Sequence, residues 1–238
     1  MVRALSIAPF AAELLTGPHR TGIGLGHGYI LFGNQEVLAL TPPGQPRMPN
    51  GIETDLVVGD REPVTVGNGL LTTGTAAVER GPLWNPRPLL RVTLSVRPRP
   101  QLHLDQLAGR GPGLTPLGDD ILIGYLAAAA LNGNCEAVAA LAAQTSRRTT
   151  ALSATLIQLA AGGALPEAAH RLLIDGNPEP LFRFGFSSGR GIAFGVALFG
   201  VNGTAASSDD RVVALGEFEL VIGTPMPNLA RRLEAAQV

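Results

Sequence analysis

The chain has 238 residues, 45% of them hydrophobic and 16% charged, with a net charge of −1. That is enough apolar material for one large core or two small ones, and it excludes a disordered chain. No block of like charge exists to displace counterions from nucleic acid or to hold the chain on anionic lipid, so neither partner is expected.

All 18 basic residues are arginine, which removes Schiff-base and Walker-lysine chemistry. An anion bound here must be held by arginine, backbone N–H groups or a metal. Cys135 is the single cysteine, so an intramolecular disulfide is impossible and a reducing compartment is the natural setting. The stretch Met1 to Leu15 is broken by Pro9 and Glu13 and lacks a signal-peptide pattern. The apolar runs 121–131 and 192–201 are too short to span a bilayer, and a cytoplasmic protein is expected.

In chain order, residues 1–103 read as a β-rich half. Alternating glycines over Gly22–Gly28 suggest a strand entry; without a preceding strand or a following helix they are a poor nucleotide loop. Strands are expected at Gly28–Gly33 and Glu36–Leu40, joined by Asn34-Gln35, and at Asp55–Val58, Pro63–Val66 and Leu89–Val96. Trp84 is expected to pack as a lid over the sheet edge. Pro98 and Pro100 close this half, because proline donates nothing to a ladder.

Residues 104–238 read as a helical half. Helices are expected over Asp119–Leu131, Glu136–Gln144, Thr150–Ala161, Pro166–Ile174 and Gly191–Phe199, the last buried on all sides for want of a polar face. A returning strand is expected at Glu217–Ile222. Strands followed by helices imply an α+β fold, with an antiparallel sheet, sandwich or small barrel packed on helices as one compact unit.

The strongest chemical signal is Gly109-Arg-Gly-Pro-Gly-Leu-Thr-Pro-Leu-Gly-Asp-Asp120, directly before an apolar helix. Gly111, Gly113 and Gly118 permit close backbone approaches, Thr115-Pro116 suits a cap, and free N–H groups at a helix entry attract anions. Capping needs one aspartate and two are present. Asp119 and Asp120 are therefore the candidate catalytic pair, with Asp119 the better placed to cap and Asp120 the functional one, open to Mg²⁺ binding or proton transfer. A second glycine- and hydroxyl-rich entry, with Ser187, Ser188 and Gly189, precedes the last helix. Arg110, Arg147 or Arg148, with Thr150, complete the candidate anion site. The four histidines are scattered, and no zinc site is expected.

Taken in order, these segments resemble the AllH-type family, which includes a subunit of bacterial oxamate carbamoyltransferase. Its characteristic stretch has the form Gly-x-Gly-x-Gly-Leu-Thr-Pro-Ser-Gly-Asp-Asp. Gly109, Gly111, Gly113, Leu114, Thr115, Pro116, Gly118, Asp119 and Asp120 match it, and Leu117 replaces the small polar residue. Thr149-Thr150-x-x-Ser153, Trp84-x-Pro86 and Ser187-Ser188-Gly189 are also similar, so the likeness runs from about residue 20 to 200. One departure is Arg190-Gly191, where relatives often carry an acid. The resemblance implies carbamoyl transfer between carbamoyl phosphate and oxamate in purine or allantoin breakdown, run toward ATP formation, with partner subunits required. The alternative is a non-catalytic assembly or small-anion-binding subunit.

Overall fold

The computed structural model describes residues 2–91, 93–94, 103–199 and 201–202. The expected strand at Glu217–Ile222 lies outside the described residues, as do Pro98 and Pro100.

Strands and helices segregate along the chain, giving an α+β fold. The N-terminal half contains β1 (Val2–Arg3), β2 (Ser6–Ile7), α1 (Pro9–Thr16), β3 (Arg20–Gly26), β4 (Tyr29–Phe32), β5 (Glu36–Thr41), β6 (Gly51–Glu53), β7 (Asp60–Gly67), β8 (Leu70–Thr72) and β9 (Ala77–Glu79). They form one nine-stranded sheet in the order β1-β9-β8-β7-β3-β4-β5-β6-β2. Its pairs are antiparallel except β1 with β9 and β5 with β6. The two edge strands, β1 and β2, are separated in sequence only by Ala4-Leu5, so the sheet must curl until its edges approach. α1 packs against β6, β7 and β8 and adds Ala11, Ala12, Leu14 and Leu15 to a core with Ile30, Phe32, Leu38 and Val64.

The expected hairpin is present as β4 and β5, paired from Tyr29 with Ala39 to Phe32 with Glu36. Two expectations change. Gly22–Gly28 contributes to β3 itself, which lies between β4 and β7. Asp55–Val58 is not a strand; Thr54 starts a turn through a Leu56 N–H bond to its hydroxyl, and pairing resumes at Asp60. Of Leu89–Val96, the described strand is β10 (Thr93–Leu94), paired with β11 (Val201–Asn202) in a separate small sheet.

The C-terminal half contains α2 (Leu117–Leu131), α3 (Cys135–Thr145), α4 (Ala151–Ala161), α5 (His170–Asp175), α6 (Glu179–Phe182) and α7 (Ser188–Phe199). α2 is alanine-rich and almost wholly buried, so it forms the axis against which α3, α4 and α7 pack. It meets α7 at glycine contacts. A β-carbon on Gly124 would lie 2.0 Å from the Ile192 carbonyl oxygen, and one on Gly195 would lie 2.0 Å from that of Ile121. The two backbones therefore approach more closely than side chains allow.

Polar contacts across the seam fasten the halves. Thr155 of α4 accepts the Val37 N–H at 3.0 Å and lies 2.8 Å from the Gln35 carbonyl oxygen, fixing β5 to the helices. Arg47, after β5, makes a two-pronged ion pair with Glu167, and its guanidinium lies 4.9 Å above the Trp84 ring. Trp84 is buried, and its ring also stacks at a tilt on His170, 5.8 Å away. It thus packs in the seam between halves, while its backbone N–H meets the sheet edge at the Ile7 carbonyl, 3.1 Å away. Val37, Ala39 and Met48 join the core of the helices, so the sheet and the helical layer share apolar surface along this seam.

Candidate functional site

The two glycine-rich entries converge. Arg110 to Pro116 form a loop that delivers the chain into α2, and residues 183–187 form the turn that delivers it into α7. Thr115 Oγ1 and Ser188 Oγ, 73 residues apart in sequence, are 3.0 Å from each other. Both line a cleft of about 320 Å³ between the helices and the face of β4 and β5, and Asp120 lies in the same lining. This volume falls within the usual range for small-molecule sites.

The adjacent aspartates have different surroundings, because one helical residue turns a side chain by about 100°. Asp119 is fully buried and fully engaged. Its Oδ1 accepts the Gly109 N–H at 2.7 Å, and its Oδ2 accepts the Thr149 hydroxyl. It does not cap its own helix, whose N-cap is Pro116 with no side-chain cap bond. Asp119 instead ties the glycine loop to the start of α4.

Asp120 is 1% exposed, and its Oδ2 has no hydrogen-bond partner. Two other buried side-chain atoms among the described residues share that condition, Asn50 Oδ1 and Ser153 Oγ, and neither residue lines the cleft. Burial pushes the Asp120 carboxyl up to about 8, and the charge of Asp119 adds to the rise. The Ser188 and Thr115 hydroxyls oppose it by favouring the ionised form, yet neither makes a full hydrogen bond to Oδ2. Near neutral pH the carboxyl is therefore mainly protonated. Across the cleft, burial and the Asp120 charge raise the Tyr29 phenol above its ordinary value.

The close approach of α7 explains part of this environment. A β-carbon on Gly191 would lie 2.6 Å from Cβ of Asp120. Gly191 thus packs on Asp120, and Arg190 beside it is exposed to solvent.

The other expected residues divide between loop construction and the surface. Gly118 and Gly189 are packing positions, where β-carbons would strike the carbonyls of Leu107 and Leu181. Gly111 and Gly113 have φ of +118° and +98° and shape the loop. Thr150 caps α4 by accepting the Ser153 N–H and donates to the Leu114 carbonyl, so it braces the loop from outside the cleft. Ser187 is half-buried and does not line the cleft. Arg110 and Arg148 are also absent from it. Arg110 turns back to the Gln106 carbonyl, and Arg148 reaches Asp105. Arg147 is exposed and likewise absent from the lining.

Sequence reasoning missed the wall formed by His27, Tyr29 and Thr41, and it missed Arg183 at the turn into α7. Arg183 had one available signal, its place four residues before Ser187. His27 had another: it lies between two glycines and has φ of +52°, left-handed for a residue that bears a β-carbon.

Among the described residues no group of three or more His, Cys, Asp or Glu side chains could hold a metal, and no helix is long and apolar enough to cross a membrane. The cleft lies at the seam between the halves, with a buried acid beside a helix entry, and is the candidate small-ligand site. The family model for oxamate carbamoyltransferase subunit AllH matches residues 107–199, from the glycine loop to the end of α7. The resemblance to that family therefore holds for the helical wall, and Trp84-x-Pro86 and the sheet lie outside the matched residues. No curated protein and no solved structure is matched.

Proposed function

We propose that this chain is the substrate-binding subunit of a carbamoyltransferase complex, and that Asp120 moves the proton in transfer between oxamate and carbamoyl phosphate. The observation that carries this reading is the unpartnered Oδ2 of Asp120 at the cleft, inside the family-matched residues. Other subunits follow from the family's description as one subunit of an enzyme.

In the direction that forms carbamoyl phosphate, a phosphate oxygen attacks the carbamoyl carbon of oxalurate. As the carbon–nitrogen bond breaks, the leaving oxamate nitrogen needs a proton. A neutral carboxyl with a pKa near the working pH suits that donation. The proton lost by phosphate as its oxygen bonds to carbon then returns to Asp120. The Thr115–Ser188 hydroxyl pair supplies a donor for the developing oxyanion. A magnesium ion would find one carboxylate, that of Asp120, among the described residues that line the cleft. It would enter on the substrate's phosphate, which is how magnesium usually binds.

The test is co-purification with the products of neighbouring genes, followed by phosphate release from carbamoyl phosphate with and without oxamate, in EDTA and in magnesium. Oxamate-dependent release by the wild-type complex, lost on Asp120→Asn, is expected. Release that is unchanged by Asp120→Asn would assign this chain to assembly or to passive anion binding.

A further inference from the structure

The cleft has one permanent cation, and it is a residue to which neither the sequence pattern nor the family description gives a role. Among the described residues that line it, Arg183 is the only lysine or arginine. Arg183 lies between α6 and α7, and its ion pair with Glu179 spans 3.8 Å between two largely exposed side chains. Such a pair constrains a guanidinium little. Asp120 and Ser188 belong to the same lining, and Asp120 has an oxygen with no protein partner. The lining thus offers a fork of N–H donors and, separately, a buried carboxyl group with hydrogen-bonding capacity to spare.

We infer that Arg183 binds the carboxylate of a small carboxylate-bearing substrate, while Asp120 engages the amide or carbamoyl group at its other end. Guanidinium and carboxylate match as planar, two-pronged partners, which makes arginine better suited to this end than a backbone N–H alone. A carboxyl group and an amide are complementary in the same way, each presenting donor and acceptor sites. His27 and Tyr29, on the sheet wall, belong to the same lining. This assignment rests on the carbamoyltransferase reading for the identity of the acid, and on the cleft alone for the presence of a carboxylate site.

The experiment is calorimetric titration of the full chain in its co-purified complex. The probes are oxamate, pyruvate, the uncharged diamide oxamide and inorganic phosphate. The proteins are wild type, Arg183→Gln, Arg183→Lys and, as a surface control, Arg171→Gln, whose residue pairs with Asp175 outside the cleft. Arg183→Gln is expected to weaken both carboxylates by about tenfold or more while leaving oxamide unchanged, since a charge-assisted pair is lost. Arg183→Lys is expected to recover part of the affinity, and Arg171→Gln to match wild type. The inference is overturned if wild type binds no carboxylate, if Arg183→Gln weakens oxamide equally, or if only phosphate responds. Carboxylate binding that depends on Arg183 in a complex without carbamoyl transfer would sink the proposed reaction and leave this site standing.

Discussion

The two walls of the cleft are built on different physical plans. The helical wall is made of entries to helices: glycines let the loop and α7 come close, hydroxyls face each other, and a carboxyl is trapped beneath them. The opposite wall is the face of a hairpin, where Tyr29 and Thr41 project at strand spacing from a sheet that has its own core. Chemistry that needs a perturbed acid belongs on the first wall, since burial there is enforced by backbone contacts. The second wall supplies shape and contributes no acid to the lining.

The largest effect should come from the buried acid. Asp120→Asn is expected to reduce turnover in the assembled complex by about a hundredfold or more, the usual worth of a proton-transferring group. Its melting temperature at pH 7 should not fall. Early melting with normal turnover would put Asp120 on the structural side and erase the contrast between the walls.

Next comes Asp119→Ala, which strips two partners at once and leaves the Gly109 N–H and the Thr149 hydroxyl without acceptors. A loss of about 3 kcal/mol in chemical denaturation is expected, with near-normal turnover per folded molecule. Turnover lost without destabilisation would mean that Asp119 does more than hold the loop.

A third measurement reads the trapped carboxyl directly. The Asp120 pKa is higher folded than unfolded, so between about pH 4 and pH 8 the unfolded chain gives up a proton that the native chain keeps. Stability therefore falls as pH rises through that window, by at most about 1.4 kcal/mol per unit, and levels off above it. Tyr29, Asp119, His27 and Arg183 are the other titratable or charged groups around this carboxyl. Asp120→Asn should flatten the slope when unfolding is followed from pH 4.5 to pH 8.5; an identical slope in both proteins would show that Asp120 is not the source.

The smallest effect belongs to the sheet wall. Tyr29→Phe is expected to weaken oxamate binding by roughly threefold to tenfold, the worth of one hydrogen bond, with melting unchanged. A hundredfold loss of turnover would instead make the sheet a chemical participant.

The same division explains what could be read in the sequence. Gly111 to Asp120 announces itself because turn, helix entry and acid lie within ten residues, and Ser187-Ser188-Gly189 does so for a similar reason. Local rules also reached α2, α3, α4, α7 and the β4–β5 hairpin, whereas the expected helix Pro166–Ile174 starts as a 3-10 turn over Glu167–Ala169 and becomes α-helical at His170. These rules failed where proximity in sequence was taken for proximity in space. Arg110 and Arg148 flank the motifs yet turn to Gln106 and Asp105, whereas Arg183 lines the cleft. Tyr29 faces Asp120 only because Thr155 and Arg47 bind the sheet to the helices, and no periodicity encodes that pairing. α1 is legible in principle, since Pro9 occupies its first turn, but Pro9 and Glu13 interrupt its apolar run.

The glycine contacts between α2 and α7 change what a mutational scan measures. At most positions replacement by alanine removes atoms and reports what they did. At Gly124, Gly191 and Gly195 it adds a methyl group where a carbonyl oxygen or Cβ of Asp120 already stands 2.0 to 2.6 Å away. The smallest possible substitution there is an insertion that wedges the helices apart and widens the gap around the buried acid. A survey that left glycines out would pass over the positions that hold the carboxyl dry, and would credit the whole site to the side chains it could delete.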